Sequence, residues 1–346
     1  MSKTKLTFNP KKIVKSLLTP LPERSRTVVQ LRFGLTEKSA KETLEAIGKK
    51  YDITRERVRQ IENLALAVIR KSRQYAELAP VLAELASEMN KFGGIVHEID
   101  FLESLSKEKE VQNYVNFLLV LGDRFVRMKE SDEFHHRWAV DENSAKTVES
   151  ALRNLYQGLS DEDLVTEHEL VERFLDELKK IADKEHDAEL ARRWLRLTKK
   201  IGKNHLGEWG IAESPNVRAR GMRDYAYLVL RRHGSPMHFA EVAKAISSTF
   251  GKKAHVATCH NELIKDNRFV LVGRGLYALK KWGYTTGTVK DVIEGIIKRD
   301  GALTKEELLS RVLKERYVKE NTILVNLQNG KYFKKDSSGK YTIVTK

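Results

Sequence analysis

The sequence of 346 residues is poor in features that define whole classes of protein. It has one cysteine, which excludes a disulfide framework and any zinc site built from several cysteines. No apolar run approaches the roughly 18 residues that a membrane-spanning helix needs. The basic stretch 1–12 has no apolar core behind it, so it does not resemble a signal peptide. We therefore expect a soluble, cytoplasmic protein.

Motifs of catalysis and nucleotide binding are also missing. The triplet Gly273-Arg274-Gly275 has no Gly-Lys-Ser/Thr after it, which predicts a tight turn rather than a phosphate loop. Cys259 and His260 have no second pair of ligands nearby in the sequence, and a buried thiol is expected. No nucleophile stands beside a base. The sequence predicts neither an enzyme nor a need for a cofactor, a metal or a small-molecule ligand.

Charge is abundant but uneven. Overall, 63 Lys and Arg face 48 Asp and Glu, a net charge of +15. Residues 1–75 carry 18 basic and 7 acidic side chains, residues 76–190 carry 13 and 27, and residues 191–346 carry 32 and 14. The basic head and tail indicate a polyanionic partner, whereas the acidic middle fits a protein partner or a spacer. Alternatively, solvated helix faces merely differ in sign.

Two apolar helical patterns meet at a short break within residues 43–70. The first covers 43–50, the break covers 51–53, and Thr54 is a good N-cap for the second. On a helical wheel, one side of the second helix is predicted to be buried, and it holds Val58, Ile61, Ala65 and Val68. The opposite side is polar and holds Arg55, Arg59 and Asn63, flanked by Glu56 and Gln60. This arrangement predicts a helix-turn-helix.

The polar side chains suit the reading of bases. In a helix-turn-helix, the first residues of the second helix reach base edges in the major groove. Arginine bonds guanine, glutamine bonds adenine and glutamate accepts from cytosine. Arginine and glutamate near a helix start also form ordinary surface pairs, and composition alone leaves both interpretations open.

The literal sequence decides further. The motifs Leu21–Arg24, Leu31–Leu35, Thr43–Gly48 and Ile53–Glu62 closely resemble region 4 of bacterial housekeeping sigma factors, over residues 20–72. The resemblance implies reading of the minus-thirty-five promoter element and contact with the flap of RNA polymerase. It places base contacts at Arg55, Glu56, Arg59 and Gln60, and contacts with the DNA backbone at Thr43, Leu44, Thr54 and Arg57. Only some 20 residues, without Trp or Tyr, precede the match, so we expect no promoter-melting region.

The remaining sequence repeats one pattern of an apolar strand, a polar turn and an aromatic-containing strand. The aromatic positions Trp138, Trp209, Tyr277 and Tyr341 recur at intervals of 71, 68 and 64 residues, and each hairpin follows helix-like segments. We therefore predict a mainly α fold with small β-hairpins, in which a helix-turn-helix precedes tandem winged-helix units. The predicted units are 1–75, 76–140, 141–215, 218–283 and 286–346, and the turn of the 141–215 unit departs most from a hairpin.

The fourth of these units carries a resemblance of its own. Its segments Gly234–Phe239, Asn261–Ile264, Asp266–Phe269 and Gly273–Leu279, with Trp282, resemble the HARE-type winged helix found at the head of the delta subunit of bacterial RNA polymerase. The 286–346 unit resembles a divergent relative. Winged helices bind DNA in some proteins and only protein in others, so the fold alone does not assign the role.

Two functions follow as hypotheses. The first is a transcription factor at the nucleoid that binds double-stranded promoter DNA through its head and RNA polymerase core, and whose basic tail contacts phosphates. The second is a delta-like docking protein of RNA polymerase with weak, nonspecific DNA binding. The side chains Arg55, Glu56, Arg59 and Gln60 favour the first, because a docking helix does not need them.

Overall fold

A computed structural model describes residues 6–181 and 187–344. The fold is mainly α-helical with short antiparallel hairpins, as the sequence predicts. The chain forms two compact units. The first contains the residues up to Lys203 together with Gly207–Ala212, and the second contains Asn204–Leu206 and the residues from Glu213 onward. Within the described ranges, no helix combines the length and the apolar content that crossing a membrane requires.

The first unit begins with four helices whose ends are set by local signals. Asn9 caps the first helix by accepting a hydrogen bond from the Lys12 amide, and Pro10 occupies its first position. Gly34, at φ 65°, ends the second helix in the left-handed conformation that favours glycine. The four helices are α1 (Pro10–Leu18), α2 (Glu23–Phe33), α3 (Leu44–Tyr51) and α4 (Arg55–Arg70).

The chain then continues into the first predicted hairpin. Its strands pair antiparallel, with Arg127 opposite Trp138, and a third strand joins on the other side, with Val96 opposite Trp138. Trp138 is buried, which agrees with a role in the core rather than in stacking on bases. The elements are α5 (Arg73–Ala76), α6 (Ala79–Lys91), β1 (Ile95–His97), α7 (Glu98–Leu105), α8 (Lys109–Leu121), β2 (Val126–Met128) and β3 (Arg137–Ala139).

Helix α8 lies in the centre of the first unit and is buried along most of its length. Phe117 packs edge-to-face against Phe33 of α2, with ring centroids 5.0 Å apart. The Asn113 side-chain amide donates to the Gly34 carbonyl at 3.0 Å, and Arg70 of α4 donates to the Val120 carbonyl at 2.9 Å. The head and the residues after 75 therefore bury one common core. The division into five units stays a prediction.

A second core completes the first unit. Phe174 and Trp194 meet edge-to-face in it, with ring centroids 6.4 Å apart. The second predicted hairpin is present, with Lys203 opposite Trp209. The elements are α9 (Glu142–Gln157), α10 (Glu167–Ile181), α11 (Ala188–Leu195), β4 (Ile201–Lys203) and β5 (Trp209–Ile211).

The second unit opens with three helices and a three-stranded sheet. The Gly273-Arg274-Gly275 triplet forms the tight turn that the sequence predicts. Gly275 has φ 72°, and a Cβ there would lie 2.5 Å from the His238 Nε2 atom. The elements are α12 (Met222–His233), β6 (Met237–His238), α13 (Phe239–Phe250), α14 (Val256–Lys265), β7 (Phe269–Gly273) and β8 (Leu276–Leu279). Strand β8 lies in the middle of the sheet, between β6 and β7.

The chain continues into three further helices and a last hairpin around a core that includes Phe333 and Tyr341. Thr288 and Asp291 form a capping box at the first of these helices. Strand β7 meets the later residues directly, because the Tyr317 amide donates to the Val272 carbonyl at 2.8 Å. The elements are α15 (Val289–Asp300), α16 (Lys305–Glu315), α17 (Glu320–Leu327), β9 (Phe333–Lys335) and β10 (Tyr341–Ile343).

Cys259 on α14 is buried, and burial raises the pKa of its thiol to about 11. The thiolate is the reactive form, so at pH 8 only roughly a thousandth of this thiol is reactive. We expect the folded protein to resist Ellman's reagent at pH 8, and the urea-unfolded protein to release one thiol equivalent per chain. Rapid labelling of the folded chain would show that α14 opens readily.

Candidate nucleic-acid interface

Helices α3 and α4 are joined by a tight turn. The Ile53 amide donates to the Gly48 carbonyl at 3.0 Å, and Asp52 adopts the left-handed conformation at φ 53°. Thr54 then caps α4, since its Oγ1 atom accepts a hydrogen bond from the Arg57 amide at 3.2 Å. The structure therefore contains the predicted pair of helices, with the second beginning one residue after the predicted cap.

A small apolar cluster fixes the angle between these helices. Val28 of α2, Ile47 of α3 and Val58 of α4 are fully buried in it, and Leu44 and Ile61 pack against them. Because Val58 anchors α4 from beneath, the side chains on the opposite side of the helix point to solvent.

The predicted buried side of α4 is partly wrong. Val68 is 44% exposed and Ile61 is half-buried, whereas the buried residues are Val58, Ala65, Leu66 and Ile69. At 100° per residue, Ala65 and Ile69 lie within about 20° of Val58, but Val68 lies about 80° away. The true stripe follows spacings of seven and eleven residues from Val58, so Ile69 is the core residue that the sequence reading missed.

Gly48 is where the backbone of the turn comes closest to α3. A Cβ at this position would lie 2.6 Å from the Ile53 carbonyl oxygen. We expect Gly48→Ala to destabilise the protein, because overpacking costs about 1–3 kcal/mol and outweighs the roughly 1 kcal/mol that alanine gains in a helix. Chemical unfolding of the full chain measures this change.

Gly295 of α15 is the matched control for Gly48. A Cβ there would meet nothing within 4 Å, so Gly295→Ala should stabilise the chain by about 1 kcal/mol through helix propensity alone. If both variants shifted stability in the same direction, the close approach at the turn would not be the deciding contact.

The four residues predicted to contact bases lie together on the solvent face of α4. We call Arg55, Glu56, Arg59 and Gln60 the reading face, and all four are exposed. Arg59 grips Glu56 with two hydrogen bonds, from Nε to Oε2 at 2.9 Å and from Nη2 to Oε1 at 2.6 Å. The ordinary surface pair that the sequence also allowed is therefore present in the free protein.

This pairing sets the charge state of the reading face. The hydrogen bonds from Arg59 hold the pKa of the Glu56 carboxyl below its usual range, and the Glu56 carboxylate raises the pKa of the Arg59 guanidinium. Glu56 therefore stays an acceptor, as pairing with a cytosine amino group requires. Arg57 donates to the Gln60 side-chain oxygen at 3.0 Å. Contact with a base requires these side chains to exchange partners.

The residues predicted to contact the DNA backbone stand at the starts of the two helices. Thr43 Oγ1 accepts from the Ala46 amide at 3.1 Å and so caps α3, as Thr54 caps α4. Leu44 is half-buried, and Arg57 is exposed beside the reading face. Helix starts carry unpaired amide groups that favour anions, which agrees with a phosphate contact at these positions.

Comparison with known proteins supports this description. Residues 17–71 match sigma-70, region 4. This stretch contains most of α1 and the whole of α2 to α4, and hence the complete reading face. Residues 220–282 match the HARE-HTH domain, a helix-turn-helix domain whose description names ASXL and restriction endonuclease, and this match confirms the second resemblance seen in the sequence.

Among curated relatives, the chain is 46% identical over 65 residues to RNA polymerase sigma factor RpoD of Helicobacter pylori, covering 19% of this chain and 10% of that protein. It is 58% identical over 53 residues to RNA polymerase sigma factor RpoS of Coxiella burnetii, covering 15% of each. It is 48% identical over 54 residues to RNA polymerase sigma factor SigA of Clostridium acetobutylicum, covering 16% and 14%. The chain thus spans no more than 15% of the length of these relatives.

The structure also bears on metal binding. In the described part of the chain, no three or more His, Cys, Asp or Glu side chains are grouped so that they would hold a metal ion. His260, the neighbour of Cys259, stacks on the Phe239 ring, with ring centroids 4.2 Å apart. The contacts of this pair are those of a packed core.

Proposed function

We propose that this chain is a sequence-specific DNA-binding transcription factor whose α3–α4 helix-turn-helix reads promoter DNA of the minus-thirty-five type. One observation carries the proposal. The reading face is exposed as a continuous set at the start of α4, and the other side of α4 is buried. It lies within the stretch that matches sigma-70, region 4.

The proposal includes contact with RNA polymerase core, at the flap. Support comes from the relatives, which are named as RNA polymerase sigma factors. In this role the chain binds DNA and polymerase at the nucleoid without catalysing a reaction, and opening of the promoter is assigned to another component.

A selection followed by a salt titration tests the proposal. The full chain is used to select duplexes from a random library, and affinities for the selected duplex and for a scrambled duplex are then measured by fluorescence anisotropy. We expect a preference of at least tenfold that persists as salt is raised, because base contacts depend on salt less than phosphate contacts do. Equal affinity for both duplexes would replace the proposal with that of a polymerase-docking protein.

A further inference from the structure

The last hairpin of the chain carries a dense set of free positive charges. We call residues 331–340, which connect α17 to β10 through β9, the lysine hairpin. Its four lysines are all exposed, and none has its ammonium paired with a carboxylate among the described residues; they are Lys331, Lys334, Lys335 and Lys340. Elsewhere on the protein, basic side chains are mostly engaged with carboxylates, as Arg299 is with Asp300 at 2.9 Å.

The single acid of the hairpin is held by its own turn. Asp336 accepts hydrogen bonds from the Ser338 amide at 2.9 Å, from the Ser338 hydroxyl at 2.7 Å and from the Lys340 amide at 2.9 Å. These bonds hold the pKa of the Asp336 carboxyl below its usual range, so the acid stays charged and positioned. The lysines around it therefore project from an ordered loop.

The hairpin is anchored on its inner side. Phe333 and Tyr341 are buried in the core beneath it, and Tyr341 exchanges backbone hydrogen bonds with Leu303. Since residues along a strand alternate between faces, the buried Phe333 directs its neighbour Lys334 outward. The charges thus stand on a fixed scaffold.

The corresponding hairpin of the preceding winged helix differs. Its strand β7 pairs with the chain at Tyr317, and a Cβ on Gly273 would lie 2.6 Å from the Tyr317 carbonyl oxygen. The helix before it, α14, shows solvent the apolar side chains of Ile264, 61% exposed, and Val256, 44% exposed. Its wing presents one cation, Arg274, at the turn between the strands.

We propose that the lysine hairpin binds the phosphate backbone of duplex DNA and supplies a second contact that is independent of sequence. The proposal rests on the proposed DNA-binding function and adds a site to it. Each neutralised phosphate releases counterions and contributes a slope of about −0.9 to the dependence of log affinity on log salt. Four lysines therefore contribute a slope of about −3 to −4.

The test compares two variants of the full chain that remove equal charge. One changes Lys331, Lys334, Lys335 and Lys340 to Gln. The control changes four other exposed, unpaired lysines of the second unit to Gln, namely Lys244, Lys252, Lys253 and Lys265. Affinity for a scrambled duplex is measured by fluorescence anisotropy across a range of salt, and thermal melting confirms that both variants are folded.

We expect the hairpin variant to lose at least tenfold in affinity near 0.1 M salt and to lose about 3 from the salt slope, while the control loses less than about 1. Equal losses in the two variants would show that net charge alone matters and would overturn the proposal. Unchanged affinity in the hairpin variant would also overturn it and would leave the lysines the role of protecting an edge strand from aggregation.

Failure of this proposal differs visibly from failure of the proposed function. The hairpin variant keeps the reading face, so its preference for the selected duplex over the scrambled one should match that of the wild type. A wild-type chain without any such preference would refute reading by α4, whatever the hairpin does.

Discussion

Replacing Arg59 by alanine is expected to lower the affinity for the selected duplex by roughly five- to 150-fold, the range for loss of a bidentate arginine–guanine contact. Arg59 lies on the exposed side of α4, opposite the buried Val58, so the substitution should leave folding almost unchanged. Affinity for the scrambled duplex should change much less. Fluorescence anisotropy with both duplexes measures the effect.

Arg173→Ala is the matched control. Arg173 also lies on an exposed helix face and pairs with a carboxylate, that of Glu169, at 2.6 Å. Its removal changes charge and a surface pair in the same way, but away from the reading face, so both affinities should stay at the wild-type values. If Arg59→Ala bound the selected duplex as tightly as the wild type, the head would not read bases, and the docking function would apply.

Replacing Phe117 by alanine should cost about 3–5 kcal/mol of unfolding free energy, as for other buried phenylalanines. Its ring is fully buried and meets Phe33 at the end of α2, so the cavity would open between α8 and the head. Urea denaturation measures the loss. Hydrogen exchange should show that the amides of α2 and α4 lose protection.

Phe174→Ala is the comparison for this prediction. Phe174 is equally buried but lies in the other core of the first unit. Its loss should release amides of α9 to α11 before those of the head. Unchanged exchange in α2 of the Phe117→Ala chain would contradict a common core.

The helix-turn-helix was predictable because its signals are local. Thr43 and Thr54 are cap residues, each directly before an apolar-periodic helix, and three residues separate the helices. The four hairpins were found from the recurrence of an aromatic residue in one strand of each pair, and their pairing is confirmed. In both cases the deciding information lies within a few neighbouring residues.

The remainder depends on contacts between distant parts of the chain. Helix α8 is apolar on most sides, and its sequence does not show which surface covers it; the partners, such as Gly34, lie 79 residues away. The exposure of Val68 has the same cause, since the direction of the buried stripe is set by what packs against α4. The grip of Arg59 on Glu56 depends on side-chain rotamers, which spacing allows but does not select.

The burial of α8 against α1 and α2 has a consequence for how the chain is handled and controlled. The matched stretch 17–71 is not a portable cassette, because excising it would leave Phe33 and Leu35 without the helix that covers them. The same coupling operates in the intact chain. A ligand that binds only the folded residues 76–140 would stabilise the DNA reader as well, by an amount that grows with the logarithm of its concentration. Occupancy of the acidic middle is thereby linked to the fraction of chains that are able to read DNA.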